Sequence, residues 1–301
     1  HTSDWSSDVC HDALPTFVYS VSYVLQHKGT VDSMGEGAGE GKGVRRLMKN
    51  PAWLTGAILF YAAGAIHLVA LSLGSLAVVQ PLLVTELIFI PPIAAVISKI
   101  HVSKRDWLWI LVVSAALAVF LAVAQPTEGN DTALTSRWII TIGLMLIGFL
   151  VCMAIGSRLG DTGKAALFGV ATGIINALYV VTAKGAFGGP PSPLLWILIA
   201  LAVFSALGGV AFATIAFRSG PVTVSSAAMI AVNPLIATVA AMYLFDVTIN
   251  DSPIDLIVIA IAVVGVLIGI VKLSTSEAVH GSAEDSDPAH PVTQPPAPLP
   301  E

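Results

Sequence analysis

One carboxyl group, that of Glu86, stands out because it lies deep inside a long apolar stretch of the sequence. A charged side chain at the centre of a bilayer costs about 2.5–3.5 kcal/mol on insertion scales. Glu86 lies about one helical turn from Pro81 and from Pro91, where backbone carbonyls lose their usual hydrogen-bond partners. The pattern favours a carboxyl that carries a coupling proton or binds a cation. The structural alternative is a protonated Glu86 that hydrogen-bonds a neighbouring helix.

Three basic side chains are further candidates. His67 lies in the middle of an apolar stretch, where its reference pKa near 6.5 suits a proton relay, or it bonds a neighbouring helix as a neutral ring. Lys28 and Lys184 end two apolar stretches at matching positions. Each could pair with an anionic group of a substrate or with a carboxylate, or could instead extend its ammonium group to the membrane interface.

The uncharged candidates are amide and phenol side chains inside apolar stretches. Pro234 follows Asn233 and predicts a local break that exposes backbone carbonyls. Hydrogen bonding between helices is the alternative role, with an average contribution of about 0.6 kcal/mol in membranes. The residues that could line a solute pathway are Gln80, Asn176, Tyr179 and Asn233.

Other chemistry finds little support. The glycine-rich stretch 35–43 lacks the first glycine and the final Ser or Thr of a phosphate-binding loop, so we interpret it as a linker and predict no ATP-driven pump. His67 has no identifiable nucleophile as partner, and Cys152 has no candidate base. We therefore predict that the chain is not an enzyme and has no cofactor. A divalent cation would have Glu86 as its one deep carboxylate ligand.

The composition sets the class of protein. The chain has 301 residues, of which 55% are hydrophobic and 11% charged, with a net charge of −5. Its mean hydropathy is +0.85. A soluble domain has roughly 25% charged residues. These values exclude an ordinary soluble globule, a nucleic-acid binder and a disordered chain. The lipid bilayer is the predicted surrounding.

Nine apolar stretches predict nine transmembrane helices, although the first is short for a bilayer core about 30 Å thick. Twelve of the 14 Lys and Arg residues fall on one side, all but Arg137 and Lys184, when the N-terminus is placed outside. That bias predicts a cytoplasmic C-terminus and a multi-pass protein of the bacterial cytoplasmic membrane. The stretches are Ala13–Gln26, Trp53–Leu73, Ala77–Ile97, Trp107–Val123, Trp138–Ile155, Ala165–Ala183, Leu194–Phe217, Val222–Leu244 and Asp255–Val271.

The order of features in the first four stretches recurs in the last four. Tyr, Val, Lys and Gly coincide between 23–29 and 179–185, and a Trp-led stretch and a proline-containing stretch follow in both halves. With one helix between them, the copies would have opposite orientations, as in many secondary transporters. We predict repeat A at 13–123, a linking helix at 138–155 and repeat B at 165–271. Glycines inside the stretches predict close helix packing, and two pairs of them, Gly169 with Gly173 and Gly265 with Gly269, have the small-residue spacing of four. These glycines are Gly143, Gly148, Gly169, Gly173, Gly208, Gly209, Gly265 and Gly269.

The sequence resembles the drug/metabolite transporter superfamily (DMT, EamA-like), nearest the nine-span NIPA-like branch, some members of which transport magnesium. The resemblance covers about residues 13 to 272. It implies a small-solute transporter in which Lys28 and Lys184 face a central cavity. The motifs are Val24-Leu25-Gln26-His27-Lys28-Gly29, Trp53-x-x-Gly56, Gly64, Gly74, Val79-Gln80-Pro81-Leu82, Lys184-Gly185, Gly220-Pro221-Val222 and Asn233-Pro234.

The sequence departs from the magnesium branch at two of these motifs. That branch has an acidic residue directly after the second-span glycine, where this chain has Ala65, and reads Pro-Leu-Gly where this chain has Leu83. Asp246 matches the acidic residue that closes the proline-containing helix, but the first half has His101 in the corresponding region. These departures count against magnesium transport.

Outside the membrane domain at 12–272, we expect a non-native or disordered N-terminus at 1–11 and a disordered, acidic, Pro-rich cytoplasmic tail at 273–301. The leading hypothesis is a secondary transporter of a small organic solute, coupled to protons or cations through Glu86. A transporter of Mg²⁺ or other divalent cations and a non-transporting membrane scaffold are the alternatives. The sequence leaves a homodimer open.

Overall fold

The computed structural model describes residues 4–34, 40–73, 76–99, 102–126, 129–130, 132–188 and 192–284. Side chains are described in these ranges except at 4–15, 34, 40–42, 67–84, 188 and 276–284. His67 and Gln80 therefore lie outside the described side chains, as do most of the glycine-rich stretch 35–43 and of the tail 273–301. The predictions for these residues and for the N-terminal segment stay predictions.

All regular structure in the described part of the chain is helical. This confirms the all-α class that the long apolar stretches predict. The helices are α1 (Asp4–Met34), α2 (Glu40–Leu47), α3 (Pro51–Leu73), α4 (Leu76–Ile97), α5 (Lys104–Ala124), α6 (Thr135–Gly156), α7 (Asp161–Gly188), α8 (Pro193–Ser219), α9 (Val222–Phe245) and α10 (Pro253–Glu284).

Every predicted apolar stretch lies within one of these helices, and the short amphipathic helix α2 lies between α1 and α3. Among the described residues, six helices are long and apolar enough to cross a membrane, namely α5 to α10. Large apolar side chains on α6, α8 and α10 are exposed, as they would be towards lipid. The protein is thus polytopic. The described apolar parts of α3 and α4 are shorter, and the nine-span count stays a prediction.

In each half of the chain, one helix packs against two others. In the first half, α1 packs against both α3 and α4, which barely touch one another. In the second half, α7 packs in the same way against α8 and α9. The helices α5 and α10 pack along each other and join the halves, while α6 lies against α7. The interior is therefore organised around α1 and α7.

The fourth helix of each predicted repeat begins with the same hydrogen-bonded cap. Ser103 accepts a hydrogen bond from the backbone N–H of Asp106, and its hydroxyl donates to the Asp106 carboxylate at 2.6 Å. At the start of α10, Ser252 and Asp255 make the same pair of bonds, with a hydroxyl–carboxylate distance of 2.7 Å. Each cap satisfies N–H groups that the first turn leaves unpaired. The spacing Ser-x-x-Asp is the sequence signal of this feature.

The third helices also end alike. The Lys28 ammonium donates a hydrogen bond to the carbonyl of Ile97 at the end of α4, at 3.3 Å. The Lys184 ammonium lies 4.9 Å from the ring centre of Phe245, the last residue of α9. A cation is favoured at a helix C-terminus, where the helix dipole is negative. The matched positions of the two lysines therefore have a structural basis, and their role in a solute pathway stays a prediction.

Glycines allow α7 to approach α9, and α10 to approach α5. A Cβ atom at Gly169 or Gly173 would collide with the backbone of α9. One at Gly269 would collide with Val113 on α5. The prediction of close packing is confirmed at these positions. It is wrong at Gly143, where a Cβ would meet no described atom within 4 Å, because that face of α6 has no neighbouring helix.

We expect Gly169→Ala to lower the melting temperature of the purified protein. The added methyl group would overlap Ser225 and Ala228 on α9, and overpacking of this kind costs about 1–3 kcal/mol. Gly143→Ala is the matched control. It adds the same methyl group in open space and improves helix propensity, so its melting temperature should be unchanged or higher. Equal effects of the two variants would contradict the α7–α9 contact.

Candidate functional site

The Glu86 side chain lies inside the helix bundle with only 4% of its surface exposed. Its Oε1 atom is buried and has no hydrogen-bond partner among the described residues. The neighbouring helix α1 is held close, because the Ser20 hydroxyl donates a hydrogen bond to the backbone carbonyl of Glu86 at 3.1 Å. A buried carboxyl oxygen without a partner is costly, and such groups are uncommon in folded proteins.

Two tyrosines of α1 lie near this carboxyl group, and a third tyrosine, on α7, lies near one of them. Tyr19 and Tyr23 on α1 lie close enough to Glu86 to interact with it electrostatically. Tyr179 on α7 interacts in the same way with Tyr19. Glu86 and Tyr179 were both predicted as pathway residues, and the structure brings them into one neighbourhood through Tyr19. Helices α1 and α4 therefore share a polar region inside the bundle, which Tyr179 on α7 reaches electrostatically through Tyr19.

Aromatic rings enclose one side of this region. Tyr19 and Tyr23 make edge-to-face or tilted contacts with Phe60 on α3, with ring centres 5.3 and 5.8 Å apart. Tyr23 also contacts Phe217 on α8 at 6.1 Å. The Tyr19 hydroxyl points towards Gly64, where a Cβ atom would lie 3.2 Å from it. The motif residue Gly64 thus gives the Tyr19 hydroxyl its space.

Two further polar side chains of α1 are buried with unpartnered atoms. Gln26 is fully buried, and neither its amide nitrogen nor its oxygen has a described partner. The His27 ring hydrogen-bonds the backbone of Gly220 and packs edge-on against Phe217. Its Nδ1 atom has no partner among the described residues. The sequence-based reasoning used Gln26 and His27 only as motif letters. The spacing of three or four residues from Tyr19 to Tyr23 and on to Gln26 places these side chains on one helix face, and was the available signal.

The other predicted pathway residues lie apart from Glu86 or are only partly placed. The Asn176 side chain on α7 lies against Gly209 on α8. Asn233 on α9 is half-buried, and its Oδ1 is buried without a described partner. Lys28 and Lys184 contact helix ends, as described above. Within the described residues, no group of three or more His, Cys, Asp or Glu side chains could hold a metal ion together.

A second polar cluster joins the α5–α6 loop to the end of α9. The Arg137 guanidinium donates to the Asp246 carboxylate at 2.7 Å and to the carbonyl of Tyr243 at 3.1 Å. The Asn130 side-chain amide donates to the same carboxylate at 2.9 Å, and its backbone N–H donates to Phe245 at 2.6 Å. We call Asn130, Arg137 and Asp246 the loop clasp.

A neighbouring pair of hydrogen bonds ties the segment after α9 to the end of α5, and the clasp itself lowers the pKa of Asp246. The Asn250 backbone and side chain donate to the carbonyls of Ala124 and Val123 at the end of α5, both at 3.0 Å. The hydrogen bond from Arg137, followed by that from Asn130, holds the pKa of Asp246 below its usual value of 3.8. Asp246 has a φ of 52°, a left-handed conformation that suits a helix end.

Comparisons with known proteins bear on the chain as a whole. No protein-family model matches it, and no solved structure matches it. An uncharacterized protein of Corynebacterium glutamicum is 25% identical over 165 residues. The matched segment is 54% of this chain, and the chain spans 56% of the length of that relative. This similarity indicates a relative and assigns no activity.

The loop clasp predicts a pH-dependent difference between two variants. Because the pKa of Asp246 is lowered in the folded protein, its contribution to stability is present above pH 3.8 and is lost as the pH falls through the lowered value. We therefore expect Asp246→Asn to lower the melting temperature at pH 7, with a difference from the parent that narrows below about pH 3.8. Asp251→Asn, at an exposed carboxylate six residues from Phe245, is the control. A difference that does not vary with pH would contradict the ionic contribution.

Proposed function

We propose that this protein is a secondary transporter of the drug/metabolite type, which moves a small solute by alternating access and is coupled to protons or cations through Glu86. The single observation that carries the proposal is the Glu86 carboxyl itself, 4% exposed inside a bundle of apolar helices and with an oxygen that no described side chain bonds. Ionisable groups inside membrane segments are expensive and typically mark ion or substrate pathways.

The surroundings of Glu86 support a role in moving a solute. The carboxyl lies within electrostatic reach of the Tyr19 and Tyr23 phenols, groups that can bond either a protonated or an ionised carboxyl when they approach it. The region lies between α1 and α4, and the phenol of Tyr179, which interacts with Tyr19, extends it into the second half of the chain. A site at the junction of the two halves is what alternating access requires, since each half can then expose it to one side.

The correspondence between the halves supports the inverted-repeat architecture that the proposal assumes. Both halves share three features. The first helix packs against two others, a lysine of the first helix contacts the end of the third helix, and a Ser-x-x-Asp cap begins the fourth helix. The two fourth helices, α5 and α10, pack along each other, as they would if a pseudo-two-fold axis passed between them. Since one helix, α6, separates the halves, the second copy would have the opposite orientation in the membrane.

The proposal is tested with protein reconstituted in vesicles that contain a pH-sensitive dye. A panel of amines, amino acids, sugars, nucleotide-sugars, Mg²⁺ and other divalent cations is added outside. We expect one class of solute to drive proton movement in the parent protein. Glu86→Gln should abolish that movement, because an amide cannot carry the proton, while the nearly isosteric change keeps the fold.

Asp251→Asn is the matched control, because it removes an exposed carboxylate far from the bundle interior and should leave the flux unchanged. The melting temperature of each variant is measured beside the flux, and a bound solute should raise it by mass action. Solute-driven flux that persists in Glu86→Gln would overturn the coupling role. A stabilisation by Mg²⁺ alone that is lost in Glu86→Gln would favour a divalent-cation transporter instead.

A further inference from the structure

The loop clasp contacts the end of α9, whose second half is less buried than its first. From Val222 to Val232, every residue of α9 is buried. From Asn233 to Thr238 the residues are only half-buried, and Val239, Met242 and Tyr243 are exposed, although Ala240, Leu244 and Phe245 are buried. The first half of α9 is thus embedded in the bundle, whereas its second half has one buried and one exposed face and is followed by Asp246.

A proline divides these two halves within the continuous helix α9. Pro234 lies inside α9 and has no N–H to donate, so the carbonyl one turn earlier loses its helical partner. Sharp bends in helices usually occur at such prolines. Asn233 beside it has a buried side-chain oxygen with no described partner. The pair Asn233–Pro234 therefore marks a hinge, around which the second half of α9 could move without disturbing the first.

The clasp lies at the far end of the hinged segment and connects it to the other half of the chain. Asn130 belongs to the connection that follows α5 and Arg137 to the first turn of α6, and they bond Tyr243, Phe245 and Asp246. The contacts are on the surface, with about one third of the Arg137 side chain and about half of that of Asp246 exposed. An exposed ion pair is weak, usually below about 1 kcal/mol, so it can open and close readily.

Beneath the clasp lies a layer of large side chains. The Trp138 and Phe245 rings, both almost fully buried, pack edge-to-face with centres 5.8 Å apart. The Lys184 ammonium covers Phe245 from α7, and Trp138 packs against Gly185. Movement of the end of α9 would separate this layer. The Lys and Arg distribution predicts that this face of the protein is extracytoplasmic.

We propose that the loop clasp is the latch of an extracytoplasmic gate, formed by the second half of α9 and hinged at Asn233–Pro234. In this structure the latch is closed. Opening it lets the Phe245 end of α9 swing from Trp138 and exposes the interior to the outer solution. The inference rests on the proposed function, since a gate requires a transport pathway.

The test measures exposure of the hinged segment directly and needs no solute. Ala240→Cys is made in a background with Cys10→Ser and Cys152→Ser, because Ala240 is buried on the second half of α9. Protein in lipid nanodiscs is treated with a bulky maleimide, and the rate of modification is measured. We expect Arg137→Gln or Asp246→Asn to raise the rate about two- to fivefold, the size expected for loss of an exposed ion pair.

Two comparisons distinguish a latch from general loosening of the fold. Arg158→Gln removes an exposed arginine from the α6–α7 turn and should leave the rate unchanged. The exchanged pair, Arg137→Asp with Asp246→Arg, should restore the slow rate. Asp246→Asn keeps shape and tolerates the left-handed conformation, so it reports on the charge even if the exchanged pair folds poorly. In that case, Arg158→Gln remains the comparison that reports general loosening of the fold.

Unchanged modification rates in Arg137→Gln and Asp246→Asn would overturn the latch, as would an equal rise in Arg158→Gln. A well-folded exchanged pair that remains fast would overturn it too. None of these results bears on the coupling role of Glu86, because proton flux is measured in a separate experiment. Conversely, flux that is indifferent to Glu86→Gln would overturn the coupling role while the modification rates still reported on the latch.

Discussion

Direct backbone approach of one helix to another is the constraint on which the rest of the structure depends. At Gly56, a Cβ atom would collide with the backbone of α1, and at Gly29 one would collide with Trp53. A Cβ atom at Gly169 or Gly173 on α7 would likewise collide with the backbone of α9. In lipid, apolar surface gives helices little reason to associate, so close backbone packing becomes a main source of attraction. These glycines fix where α1 and α7 lie, and hence which side chains face Glu86.

Such tight packing explains how the chain can keep several polar atoms without partners. Glu86, Gln26 and His27 each carry an unpartnered buried atom, and each would be hydrated if α1 separated from its neighbours. Unsatisfied polar groups destabilise a closed bundle by about 1–3 kcal/mol each. This cost would favour the alternating access proposed above, because it lowers the energy difference between the closed state and a more hydrated one. Stability from glycine contacts and instability from polar atoms therefore act on the same helices.

The sequence predicted the helices well because a long apolar run has one common structural outcome, and all nine runs lie in helices. It also located Glu86, since a lone carboxyl in such a run is conspicuous. It did not predict Tyr19 and Tyr23 beside that carboxyl, because their tertiary proximity depends on how α1 crosses α4, which periodicity does not encode. The matched positions of Lys28 and Lys184 are visible in the sequence, but their contacts with helix ends depend on the packing of the third helices.

The same reasoning explains why polar side chains outside the bundle interior were harder to interpret. Asp246 was noted as the residue that closes a proline-containing helix, yet its partners Asn130 and Arg137 lie more than 100 residues earlier in the chain. Loop contacts of this kind have no periodic signal, and an exposed ion pair contributes little to stability. A weak contact at the end of a helix that contains Pro234 can nevertheless control the position of that end, because the contact lies far from the proline. At a rise of about 1.5 Å per residue, a bend of about 10° at the proline displaces the helix end by about 3 Å, so a small change in free energy at the clasp can control this movement.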